Sequence, residues 1–112
     1  MITPKTLYTG GQLTNAAATL FTSPTNTKSV ITQAAFTNVD TVARLLTVWI
    51  VRSGGAASDA NILIDEKSLA AQETYVSPEL AGQILGAGDF VQAKADANSV
   101  ITVAGISGYA IT

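Results

Sequence analysis

The seven residues Leu45–Val51, LLTVWIV, contain no charge and a single hydroxyl. Successive side chains of a strand point to opposite faces, so a sheet with one wet side would alternate apolar and polar residues here. Instead Thr47, Trp49 and Val51 share one face, and Leu46, Val48 and Ile50 share the other. Both faces of this strand must be dry, which places it inside a layered β architecture with cover on its outer side. The Trp49 face is expected to meet a facing sheet built from the strands that contain Val30, Phe36, Ile62, Val91 and Val103. Leaving Leu46, Val48 and Ile50 in water would forgo about 1.5 to 3 kcal/mol for each side chain. Two covers are open. A neighbouring subunit can supply it, or the amino-terminal segment Ile2–Leu13 can fold back over the strand. A swapped arm, with Ile2, Leu7, Tyr8 and Leu13 laid on a neighbour, combines them. The expected interface is therefore Ile2, Leu7, Tyr8, Leu13, Leu46, Val48 and Ile50, in a homo-oligomer.

The rest of the chain repeats the same theme in short β-prone runs separated by turn residues. Strands are predicted over 18–22, 28–39, 42–52, 61–67, 74–77, 82–85, 89–95 and 99–112. Val30, Ala34 and Phe36 share a parity in the second, and Ile62 and Ile64 point inward in the fourth. Pro24 and Asn26 suit a turn, and LGAGD, residues 85–89, suits a tight one. EKSLAAQE, residues 66–73, has competing helix propensity and is expected to form a turn or one helical turn. The last strand is expected to bend or bulge at Gly105 and Gly108. The fold class is thus all-β, an antiparallel β-sandwich of jelly-roll type with about eight short strands. With 112 residues it forms one domain, 1–112, with residues 1–13 as an amino-terminal arm.

Composition excludes several functions. Charged residues are 12% of the chain and the net charge is −2, which gives no electrostatic footprint for nucleic acid. Cysteine and histidine are both absent. Thiolate chemistry, zinc–thiolate sites and the usual near-neutral acid–base group go with them. The opening MITPKTLYTGGQL lacks the apolar core of a secretory signal, and no apolar run approaches the roughly 20 residues that span a bilayer. No membrane partner is expected.

Catalysis has little to stand on. Asp65 and Glu66 are adjacent in a predicted strand, so they point apart. An enzyme would need carboxylates gathered from distant strands, such as Asp65 with Asp89 or Glu73. Asp40, Asp59, Asp89, Asp96, Asn61 and Asn98 are loop oxygen donors without calcium-loop spacing, and read as turn formers. No cofactor or metal is expected. Trp49 is expected in the core, whereas Tyr8, Tyr75 and Tyr109 could form a stacking surface for sugars or a protein partner.

The succession TLYTGGQLTNAAATLFTSPTNTKSVITQAAFTNVD, LTVWIVRSGG and SLAAQETYVSPELAGQILGAGDFVQAKADANSVITVAGISGYAIT resembles small virion proteins of tailed bacteriophages. The shared pattern is an opening xLYxxQL, an apolar strand running into SGG, and an AGD turn leading to ITVxxSGxxI. The resemblance implies a non-enzymatic virion component: a capsid decoration or cement protein, or a neck or tail part. It implies a homo-oligomer, with a trimer favoured, that docks on other virion proteins such as the major capsid protein. Its expected location is the virion, assembled in the cytoplasm of a bacterial host. The alternative is a carbohydrate- or receptor-binding module of a phage tail or fibre. No site residue carries over, because the pattern marks turns at Gly54, Gly55, Gly88 and Asp89.

Overall fold

The computed structural model describes residues 1–112 as ten strands and a short 3₁₀ turn in two facing antiparallel sheets. The strands are β1 (Ile2–Tyr8), β2 (Gly11–Gln12), β3 (Ala18–Thr22), β4 (Lys28–Asn38) and β5 (Arg44–Val51), then β6 (Ile62–Leu69), β7 (Thr74–Val76), β8 (Ile84–Leu85), β9 (Phe90–Ala95) and β10 (Ile101–Ile111). One sheet runs β1-β10-β4-β7, with β2 beside β10 and β8 beside β4. The second runs β3-β9-β5-β6. The chain crosses between the sheets repeatedly, at β2–β3, β3–β4, β4–β5, β6–β7, β8–β9 and β9–β10, and the last strand lies between the first and the fourth, an arrangement of jelly-roll type. The expected fold class is therefore the observed one; the two strands beyond the eight expected are the amino-terminal β1 and the two-residue β2, and the strand expected over 82–85 is the shorter β8.

Residues 2–8 are not an arm. They form the edge strand of the first sheet, with Ile2 opposite Ile111 and Thr6 opposite Ser107. Met1 and Thr112 exchange backbone hydrogen bonds, so antiparallel alternation turns the backbone of Pro4 toward the open edge. A residue without an N–H suits that place, because it leaves no ladder bond unmade and obstructs strand addition by another chain.

The two faces of β5 are reversed relative to the expectation. Leu46 (0% exposed), Val48 (0%) and Ile50 (8%) form the inner face, opposite Ala95, Ala93 and Val91 of β9 and against the first sheet. Thr47, Trp49 and Val51 face away from it, yet all are buried. The chain dries them itself. Lys94 lies over the Trp49 ring, 5.8 Å from its centre, and Ile62 and Gln92 flank it on the neighbouring strands. Val51 packs beneath the loop at Gly55, and the Thr47 hydroxyl accepts the backbone N–H of Glu66. Glu66 sits at a bulge with φ +46°, where β6 gains a residue relative to β5. Neither expected cover, a second copy or the amino-terminal segment laid over the outer side, is needed for Leu46, Val48 and Ile50, which this packing places in the chain's own core.

Bulges explain the other parity errors. Gln33 pairs with Ser107 and Ile31 with Gly108, leaving Thr32 as the extra residue of β4. Ile31, Ala34 and Phe36 therefore point inward and Val30 outward. A second irregularity in β6, beside Trp49, keeps Ile64 buried and leaves Ile62 half-buried, across from Trp49. Of the bulges expected in β10, the one at Gly105 occurs there, with Ala104 as the extra residue, whereas at Gly108 the extra residue lies across the ladder in β4. Residues 66–73 continue β6 to Leu69 and then turn, without a helix.

Candidate functional site

Charged groups with shifted titration are occupied in structural bonds. Asp89 accepts from the backbone N–H groups of Ser53 and Gly86, both at 2.9 Å, and from Arg52 at 2.9 Å. Burial alone would raise its pKa, but these donors outweigh it and the carboxyl lies below the ordinary 3.8. Asp89 thereby fastens the turn before β9 to the end of β5. Tyr75 donates to Glu79 and carries Lys67 over its ring, 4.7 Å from the centre. Burial, then the bond and charge of Glu79, push the Tyr75 hydroxyl up to about 12. The same bond holds Glu79 below its ordinary value. Asp40 is lowered chiefly by Arg44, whose guanidinium donates at 2.6 and 2.9 Å. Glu73 accepts the Ala70 N–H. No three His, Cys, Asp or Glu side chains converge as a metal site would need.

Three of the four surface hollows border the β1-β10-β4 sheet; the fourth lies over the second sheet, lined by Leu45, Thr47, Glu66, Lys94 and Asp96 among others. Cross-strand register places the residues around the other three in rows. At the end where the termini meet, Ile2 lies opposite Ile111, and Ile111 opposite Lys28. The next row runs Pro4, Tyr109, Val30, Ile84 across four strands. Ile2 is 66% exposed, Ile84 55% and Tyr109 40%. A shallow hollow of about 390 Å³ adjoins them, lined by Lys28, Gly86, Ala87, Ile111 and their neighbours. Lys28 is the charged side chain in the hollow's lining, and the Arg52 guanidinium reaches the Ile84 carbonyl at 3.2 Å from the neighbouring sheet.

Farther along, the register row is Thr6, Ser107, Gln33. Two hollows of about 330 and 410 Å³ meet there, both lined by Thr6 and Ser107. Tyr8, Ala35 and Gly105 line the first; Tyr109 and Lys5 line the second. Gly105, at φ +136°, lets the backbone pass the Tyr8 carbonyl, since a β-carbon would stand 3.2 Å from that oxygen. The result is a trough with a tyrosine toward each end and Lys5 as its one charged lining residue.

The residues expected at an interface are distributed between core and surface. Leu7, Leu13, Leu46, Val48 and Ile50 belong to the chain's own hydrophobic core. Tyr8 is half-buried against that core, and Ile2 stands out at the apolar corner. Thr6, Gln33 and Ser107 were not singled out from the sequence. Each is a polar residue on an outward parity, and nothing short of the cross-strand register sets them side by side.

No known protein family and no curated protein matches the chain. Among solved structures it is similar to a chain of the T13 viral particle of IBDV, with 13% identity and a TM-score of 0.49, over 99% of this chain and 31% of that one. It is also similar to a chain of the infectious bursal disease virus Gx strain, with 14% identity and a TM-score of 0.44, over 98% of this chain and 30% of that one. The chain thus spans less than a third of either. The assignment to tailed-bacteriophage virion proteins is corrected by these findings: no family and no curated protein supports it, and the two solved structures just named are of infectious bursal disease virus.

Proposed function

We propose that this chain is a non-enzymatic structural protein of a viral particle, present in multiple copies and docked on the shell through its apolar corner as a decoration or cement protein. The jelly roll is an architecture of viral capsid domains, though also of lectins and cupins, so the surface has to decide. The observation that carries the reading is the gathering of Ile2, Ile84, Val30, Ile111 and Tyr109 at one end of a sheet. Exposed apolar groups that adjoin one another mark contact surfaces, whereas isolated ones need no explanation. Self-association of copies through the same corner belongs to this proposal.

Sedimentation of the full chain, alone and with shells of the virus that encodes it, tests the reading. Co-sedimentation that is lost on Ile2→Lys together with Ile84→Lys is the expected result. A chain that stays monomeric at tens of micromolar and ignores the shells overturns it.

A further inference from the structure

We propose that the trough over Thr6, Ser107 and Gln33 binds a neutral oligosaccharide. Tyr109 borders both this trough and the docking corner, but sugar binding by the isolated chain does not depend on docking. The three side chains form one row across β1, β10 and β4, about 4.8 Å apart from strand to strand. Gln33, Thr6 and Ser107 make no side-chain hydrogen bond within the chain, in contrast to Thr32, whose hydroxyl is tied to the Ser107 carbonyl at 3.0 Å. Two hydroxyls and an amide, each able both to donate and to accept, therefore face solvent in a concave place. Sugar hydroxyls have the same dual character and meet such groups in either sense.

A pyranose also has an apolar C–H face, which needs a flat apolar partner. Tyr109 lines one end of the trough and is 40% exposed, and Tyr8 lines the other. Ala35 and Gly105 keep the ground between them low. Volumes of about 330 and 410 Å³ joined end to end suit an extended chain of sugars better than a single ring. The charge pattern narrows the class. Lys5 is the one charged residue along the lining, and no carboxylate joins it. A phosphate backbone would find a single cation and none of the basic cluster it requires.

The full-length protein is to be tested against immobilised neutral oligosaccharides (glucans, mannans, galactans and N-acetylhexosamine oligomers), with sulfated and sialylated chains alongside. Binding to a neutral member is expected, weakened at least tenfold by Tyr109→Ala and by Gln33→Ala, and unchanged by Tyr75→Ala outside the trough. Both trough positions point to solvent, and an unchanged unfolding midpoint certifies each variant. Thr6→Lys, which sets a long charged side chain in the trough, is expected to abolish binding as well. Failure of every neutral member at millimolar concentration overturns the proposal, as does preference for the anionic chains or indifference to all three trough substitutions.

Discussion

Gly108 faces the carbonyl oxygen of Val30 so closely that a β-carbon at position 108 would lie 1.9 Å from it. Its partner strand bulges at this place, and the close approach of β10 to β4 keeps Leu7 packed above. Gly108→Ala must therefore push the two central strands of the sheet apart. Soluble yield is expected to fall sharply, or the midpoint of thermal unfolding to drop by 10 °C or more, roughly 2 kcal/mol or above. Gly54→Ala is the control for glycine replacement in open space, since nothing stands near a β-carbon there and only its φ of +80° resists.

Asn38 is fully buried at the end of β4 and is the hub of its corner. Its side-chain amide donates to the carbonyls of Val42, Leu69 and Ala70 at 2.9 to 3.1 Å, and its oxygen accepts the Asp40 N–H at 2.9 Å. Asn38→Ala strands these backbone groups and is expected to cost about 3 kcal/mol in chemical denaturation. Asn38→Asp should cost at least as much, because a carboxylate would confront three carbonyl oxygens. A loss below about 1 kcal/mol for both variants would refute the role assigned to this amide.

The pH dependence of stability follows from Asp89. Its folded pKa lies below the unfolded value, so the group contributes stability above that value, and the contribution is lost as pH falls through the folded pKa. Native protein should weaken progressively below about pH 4, and Asp89→Asn should flatten that part of the curve while lowering stability at neutral pH by about 2 kcal/mol. Denaturant titrations at several pH values measure both effects. Parallel curves for the two proteins would show that Asp89 does not contribute.

How much of this was legible in the sequence depends on where bulges fall. Strand positions, the turns at SPTNT and LGAGD, and the bulge beside Gly105 follow from local residue types. Facing direction does not, because one extra residue at Thr32 or near Glu66 inverts every side chain beyond it. The greasy β5 was read correctly as dry on both sides but assigned the wrong inner face, since Trp49 outweighs Leu46 and Val48 in any count of bulk. The sequence also cannot show that Lys94 and the loop after Val51 close the outer side, as both depend on long-range pairing. The trough is harder still. Thr6, Gln33 and Ser107 are ordinary surface residues until the register aligns them.

The cover on β5 separates core from docking surface. Leu46→Ala should cost about 3 kcal/mol, a loss set by the cavity it leaves between the sheets. Ile2→Lys removes no buried contact and should leave the unfolding free energy within about 0.5 kcal/mol of native while weakening attachment to viral shells. If the Ile2 variant unfolds as readily as the Leu46 variant, the corner is part of the fold and its reading as a free surface fails.

Trp49 offers a spectroscopic check on how its face is closed. The ring is 8% exposed on the outer side of its sheet, beneath a lysine and beside Ile62, with no second layer above it. Its emission should be blue-shifted and poorly quenched by acrylamide in the monomer. Lys94→Ala takes away a cation–π contact worth about 1 kcal/mol and the alkyl stem that shields the ring. Quenching should then rise severalfold with the fold intact by circular dichroism. Were the native ring already open to acrylamide at low protein concentration and shielded only at high concentration, a neighbouring copy would be the true cover, and the self-sealed strand described here would be wrong.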